Sequence, residues 1–185
     1  RPATPSIQDN QIINNTWYPI IQCDFSFPTF SGNTITGNTY QAIQVWGTIN
    51  SDISTVRSWP DVQGLGLPYV VSWATIGSKV TLTIPAGVII KFENMAYLTV
   101  GGTLDVQGTS NNRVVFTSLK DDSYGGDTNG DFNATSPTAG DWDRISFESG
   151  PGITNVFDYC IVRYGSYNVW VNSTSSSYSD VSIQN

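Results

Sequence analysis

The chain of 185 residues has no histidine, and only three lysines and two glutamates. Without imidazole it lacks the commonest general base and the usual ligand for transition metals. Serine and cysteine nucleophiles would have no histidine partner to activate them. Charged residues make up 12% of the chain, about half the usual share of roughly 25%, so the polar surface has to be built from Asn, Thr, Ser, Gln and Gly. That mixture disfavours helix and suits strands and turns, which predicts an almost entirely β protein. Basic residues are few: eight Lys and Arg stand against fifteen Asp and Glu, a net charge of −7. No basic stripe exists to displace counterions from phosphates, which excludes nucleic acid as a partner. Thirteen aspartates suit a metal cation instead. No apolar run approaches the roughly 20 residues of a membrane-spanning helix; runs such as Val88-Ile89-Ile90 are the size of a strand fragment. The opening Arg1-Pro2-Ala3-Thr4-Pro5 is polar and carries no signal peptide. A removed leader or a longer parent polypeptide is therefore expected.

What is present is a repeat. The segment from Pro5-Ser6-Ile7 to Asn15-Thr16-Trp17 aligns without gaps on Pro28-Thr29-Phe30 to Asn38-Thr39-Tyr40, and the match runs on to Ile20 over Ile43. The period of 23 residues suits one turn of a β-helix, in which short strands and bends stack like residue on like at about 4.8 Å. Asn10/Asn33 and Asn15/Asn38 fall at bends. Asn tolerates the left-handed backbone a sharp bend needs, and stacked amides bond one another along the axis.

The pattern continues downstream. Val80-Thr81-Leu82-Thr83-Ile84 and Val88 to Phe92 alternate with period two, and Leu98 to Val100, Thr103 to Val106 and Val114 to Thr117 repeat the theme. After an acidic stretch come Ile145 to Phe147, Val156 to Val162, Val169 to Val171 and Val181 to Ile183. The predicted fold is an all-β, right-handed parallel β-helix of about six rungs, one domain over 1–185, with loop insertions at 51–68 and 120–141. Insertions into a solenoid emerge on one face and often carry function. Cys23 lies in the first rung and Cys160 near the fifth, roughly 19 Å apart at the strand spacing. A disulfide needs Cα atoms within about 7 Å, so two unpaired, mostly buried thiols are expected.

The run Leu82-Thr83-Ile84-Pro85-Ala86-Gly87-Val88 through Lys91-Phe92, then Leu98 to Gly108 and Val115-Phe116-Thr117-Ser118, resembles the right-handed parallel β-helix repeats of bacterial secreted and surface proteins. The segment Asp121-Asp122 through Asp127-Thr128-Asn129-Gly130-Asp131 to Gly140-Asp141-Trp142 resembles an insertion that recurs in such repeats. The resemblance implies a secreted, extracellular or cell-surface location. It covers adhesins, structural modules, carbohydrate-binding proteins and polysaccharide lyases and hydrolases, so it is specific for fold and not for function.

Six aspartates lie between Asp121 and Asp143. Asp127-Thr128-Asn129-Gly130-Asp131 has the Asp-x-Asn-x-Asp spacing of calcium loops, in which alternate residues turn short oxygens inward to supply the six to eight ligands, at about 2.3–2.6 Å, that calcium takes. It is not an EF-hand: Phe132 stands where that loop needs Gly, and Thr138 where it needs a bidentate Glu. The expected ligands are Asp127, Asn129 and Asp131, helped by Asp121, Asp122 or Asp141, with Ca2+ ordering the loop.

Asp105, Glu93, Glu148 and Asp158 read as outer-surface carboxylates without a pairing motif, and Lys91, Arg144 and Arg163 as solvated charges, with Arg144 placed to pair with Asp143 or Glu148. The reading is therefore a non-catalytic structural or adhesive module; a carbohydrate-active protein is the alternative. Trp17 and Tyr40 share one ladder and read as core or half-buried stacking. Trp46, Trp59 and Trp73 surround the first insertion and are the expected exposed set, where a polysaccharide would lie. The repeat runs from Pro5 to Ile183 with no cap but Pro2 and Pro5. Head-to-tail self-association or a longer parent chain is therefore expected.

Overall fold

The computed structural model describes residues 4–24, 26–51, 53–148, 154–172, 176–179 and 182–184, with backbone only for Asn172 and the last two stretches. Pro2 and Asn185, which bear on the expected ends, lie outside the described residues. The chain is a parallel β-solenoid of about seven turns. The 23-residue repeat is the strand register itself: Ser6 pairs with Thr29, Gln11 with Thr34 and Ile20 with Ile43. Among the described residues the only helical piece is a 3-10 turn, Val62–Gly64, and no helix is long and apolar enough to cross a membrane.

The long strand Tyr69–Ile76 is where the stack forks. Its first half pairs with Ile89–Phe92 and its second half with Tyr97–Val100. Two walls grow from there: Ile89–Phe92, Val114–Ser118, Cys160–Arg163 and Ser182–Gln184 on one side, and Tyr97–Val100, Trp142–Glu148 and Gly165–Asn172 on the other. A third wall stacks Thr55–Ser58, Val80–Pro85, Thr103–Gln107, Asn155–Asp158 and Ser176–Ser179. Period-two alternation decides which side chains enter: Val80, Leu82 and Ile84 are buried and the threonines between them are half-buried. Inside, Phe92 stacks on Trp142 at 4.1 Å, and Phe116 on Phe157 at 5.2 Å. Each such side chain taken from water contributes about 1.5–3 kcal/mol.

The bends are held by stacked amides, as their spacing predicts. Asn33 Oδ1 accepts from both the backbone N and Nδ2 of Asn10, at 3.0 and 3.1 Å. Asn38 Oδ1 accepts from the same two groups of Asn15, at 3.1 and 2.7 Å. At the next bend Asp24 Oδ1 accepts from Thr48 N at 3.0 Å, and a Cβ on Gly47 would lie 2.2 Å from that oxygen, so only glycine fits there. Asn38 also donates to Ile12 O at 3.1 Å. Asn38→Ala would leave a donor and an acceptor unpaired inside the stack. The expected loss is about 1–3 kcal/mol, read as a lower urea midpoint; an unchanged midpoint would show that the amide ladder contributes nothing.

The segment 51–68, expected to be a loop insertion, is partly built into the stack. Thr55–Ser58 pairs with Val80–Pro85. Trp59, Val62 and Leu67 are buried in the main core. Gln63 adds a third amide to the Asn10–Asn33 ladder, Asn33 donating to Gln63 Oε1 at 2.7 Å.

Both cysteines are free; Cys160 is buried and Cys23 half-buried. Burial, reinforced by Asp158, pushes the Cys160 thiol up to about 12. The thiolate is the reactive form, so Cys160 should resist a disulfide reagent in the native protein, and two thiols per chain should react after denaturation. Mass spectrometry showing a Cys23–Cys160 bond would contradict the stacking order.

Candidate metal centre

After Lys120 the chain leaves the stack and runs back over its outer face before returning at Asp141. The contacts trace the path. Ser118 Oγ donates to Asp141 at 2.7 Å, and Thr117 Oγ1 donates to Asp121. Lys91 Nζ donates to Gly126 O at 2.9 Å. A Cβ on Gly125 would lie 2.5 Å from Pro68, and one on Gly130 only 2.6 Å from Thr39 O. The segment therefore straps turns together from the level of Thr39 to that of Ser118. Beneath it, the outward-pointing row Val70, Lys91 and Thr117 is in register and fully buried.

Lys91 is thus not the solvated charge that its place on an alternating strand suggests. It is completely buried. Burial lowers its ammonium to about 8, against the opposing attraction of Asp122, Asp121 and Asp127.

At the outer part of the strap, Asp122, Asp127 and Asp131 bring carboxylate oxygens within 4.8 Å of one another, a set that can hold a metal ion. Two oxygens on one calcium lie no more than about 5 Å apart, given bonds of roughly 2.3–2.6 Å, so the spacing fits. Tight turns place these groups. Asp127 Oδ1 and Oδ2 accept from the backbone N of Asp131 and Phe132, both at 3.0 Å, and Phe132 and Asn133 adopt φ of 55° and 66°. Asp131 accepts from Thr135 Oγ1, Asn129 Nδ2 and the backbone N of Ala134 and Thr135. These bonds, led by the one from Thr135, hold its carboxyl below the usual range. Asp122 is the reverse case: burial, then the neighbouring Asp127, push its carboxyl up. Asp122 Oδ1 and Asn129 Oδ1 are buried acceptors with no hydrogen-bond partner. A cation would answer both the repulsion and the orphaned Asp122 oxygen.

The structure therefore brings Asp122, Asp127 and Asp131 together, with Asn129 bonded to Asp131. Asp121 and Asp141 lie at the two ends of the strap, engaged by protein groups. Asp121 accepts from Thr117 and from Ser123 N and Oγ, and faces Arg163 at 3.8 Å. Asp141 accepts from Ser118, from Thr138 N and Oγ1, and from Lys120 Nζ at 2.8 Å. Burial pushes the Asp141 carboxyl up, but the bonds from Lys120, Thr138 and Ser118 outweigh it and hold it below its usual range. Lys91, under the strap, is the site residue that sequence reasoning misassigns. The available signal was its row: Val70 and Thr117 are uncharged neighbours on a face that should have met water.

The aromatics divide differently from expectation. Trp59 is buried, stacked on Tyr69 at 5.4 Å, and is not part of an exposed set. Trp46 and Trp73 are exposed, with ring centroids 6.2 Å apart. Trp17 and Tyr40 lie with ring centroids 4.7 Å apart and planes tilted by 52°, and Trp17 is exposed, not core or half-buried as its repeat position suggests. Arg144 pairs with Asp143 at 2.7 Å. Glu93 accepts from Tyr18 Oη and Gln44 Nε2, both at 3.0 Å. No family model, no curated protein and no solved structure matches this chain.

Proposed function

We propose that the chain is a non-catalytic structural or adhesive module of a secreted or cell-surface protein, and that calcium completes its strap. The observation that carries this reading is the orphaned acceptor Asp122 Oδ1 among three carboxylates spaced for one ion. The strap has little apolar core of its own, so a cation at its outer turn converts repulsion among aspartates into cross-links between them. Oxygen-only donors of this kind suit calcium, which accepts irregular cages, better than magnesium, which demands octahedral geometry.

An ion that binds only the folded state stabilises it by about 2.7 kcal/mol at a hundred times its dissociation constant. For a chain of this size that is roughly 5–10 °C in melting temperature. Millimolar calcium should raise the melting temperature by that amount over EDTA, and magnesium by less. The double variant Asp127→Ala, Asp131→Ala should melt alike in both buffers. Equal melting of the parent chain in calcium and EDTA would sink the proposal.

A further inference from the structure

On the wall that does not carry the strap, the outer face bears an aromatic row that a cation-bound structural module does not explain. Trp46 and Trp73 are register partners. Tyr97 precedes Leu98, the partner of Ala74, and so takes the next place; Arg144 is its partner in turn. Trp46, Trp73 and Tyr97 are 39, 38 and 37% exposed. At the far end the Arg144 guanidinium lies 5.5 Å over Trp170, itself exposed. Two residues further along each strand runs a hydroxyl row in register, Thr48, Thr75, Thr99 and Ser146, with Ser146 Oγ donating to Thr99 Oγ1 at 3.3 Å.

The solenoid core needs none of these rings, because they point away from it. Three large aromatics on consecutive rungs hold apolar ring surface in water, which marks a contact surface. Charge and size say what it fits. In a chain of net charge −7, the three rungs with Trp46, Trp73 and Tyr97 carry only uncharged outward groups on these strands, and the Arg144 that follows is paired with Asp143. One carboxylate, Asp24 on the preceding rung, borders the rows through its bond from Thr48 N, so there is no run of like charge for a polyanion or a polycation to match. The four rungs span about 15 Å and the two rows lie about 7 Å apart, roughly 100 Å² against the roughly 800 Å² per partner of a stable protein interface. A folded protein or a second copy finds too little contact here, whereas a narrow chain lying along the axis covers all of it. Rings beside a line of hydroxyls complement a pyranose, whose CH face stacks on an aromatic while its hydroxyls exchange hydrogen bonds at the edge.

We infer that this face is a binding platform for an uncharged linear glycan lying along the solenoid axis, stacked on Trp46, Trp73 and Tyr97, with the Thr48–Thr75–Thr99 row bonding its hydroxyls. It is separate from the strap, so the Asp127→Ala, Asp131→Ala variant should bind glycan as the parent chain does. The test is affinity electrophoresis of the full chain in gels containing hydroxyethylcellulose, mixed-linkage β-glucan, xylan or galactomannan, with polygalacturonate as the anionic comparison. At least one neutral glycan should retard the protein. Trp46→Ala and Trp73→Ala should each weaken that retardation about tenfold, with the native circular dichroism spectrum retained because both rings lie outside the core, and Trp73→Tyr should restore part of it. Three results would overturn the inference: no retardation by any neutral glycan, retardation by polygalacturonate alone, or retardation indifferent to both tryptophans. Sedimentation showing self-association that Trp73→Ala abolishes would assign the row to a second copy and overturn it as well.

Discussion

Trp142→Ala is expected to lower the unfolding free energy by about 3–5 kcal/mol, the range for removing a large buried aromatic. Trp142 is fully buried. Its ring lies 4.1 Å from Phe92, tilted by only 9°, and its Nε1 donates to Arg163 O at 2.9 Å. It follows Asp141 directly and so pins the returning end of the strap into the core. Alanine would leave a cavity between two walls and an unpaired carbonyl. Trp142→Phe keeps a ring against Phe92 and loses the donor and part of the ring volume, so its loss should be smaller, about 1–3 kcal/mol. Urea unfolding followed by circular dichroism separates the two; a loss below about 1 kcal/mol for alanine would mean the site collapses around the smaller side chain.

Lys91→Met should act in the opposite direction and stabilise the protein at pH 7. Burial lowers the Lys91 ammonium from an ordinary value near 10.5 to about 8, and each unit is worth about 1.36 kcal/mol. Holding the charged form under the strap therefore costs on the order of 3 kcal/mol below pH 8. Methionine has a similar length and no charge. It gives up the bond to Gly126 O, worth about 1 kcal/mol, which leaves a gain of about 2 kcal/mol.

The sign with pH follows. Between pH 8 and about 9 the unfolded chain still holds the Lys91 proton and the folded chain does not, so stability of the parent rises with pH across that window. From about pH 9 the buried Cys160 thiol, and near pH 10 the buried phenols of Tyr18 and Tyr69, all of whose values burial raises, pull the other way. In Lys91→Met the rise should vanish. Urea midpoints at pH 7, 8.5 and 9.5, taken in EDTA, measure both effects. A less stable variant at pH 7 would mean that attraction from the three aspartates exceeds the desolvation of the amine. Calcium should bind the variant more tightly, because a competing positive charge has gone.

What was legible in the sequence is what recurs at a fixed offset. Pairs such as Asn10/Asn33 and Ile20/Ile43 name their own register, and alternation over Val80 to Ile84 tells inside from outside, because both are local consequences of strand geometry. Lys91 and Trp59 follow the same strand rules and were still misplaced. Lys91 points outward as alternation requires, but the strap that covers it obeys no period, and its route depends on distant contacts at Thr39 and Pro68. Trp59, Val62 and Leu67 enter the core at irregular spacing after a short strand, and Gln63 takes an asparagine's place 30 residues on from Asn33, not 23. The Asp-x-Asn-x-Asp spacing placed Asp127, Asn129 and Asp131 in one turn. Bringing Asp122 to them requires the chain reversal between, and the engagement of Asp121 by Arg163 and of Asp141 by Lys120 depends on side chains from other turns.

The strap also changes how the molecule should come apart. In a linear stack each turn touches only its neighbours, so unfolding can start at one end and proceed turn by turn. Here one covalent segment meets Thr39, Pro68, Lys91 and Ser118, and faces Arg163. Peeling the early turns must break its contacts, and peeling the late turns must free its anchor. A pull along the axis is then shared between the inter-strand hydrogen bonds and a tie lying parallel to them, so the turns between Thr39 and Arg163 yield as one block.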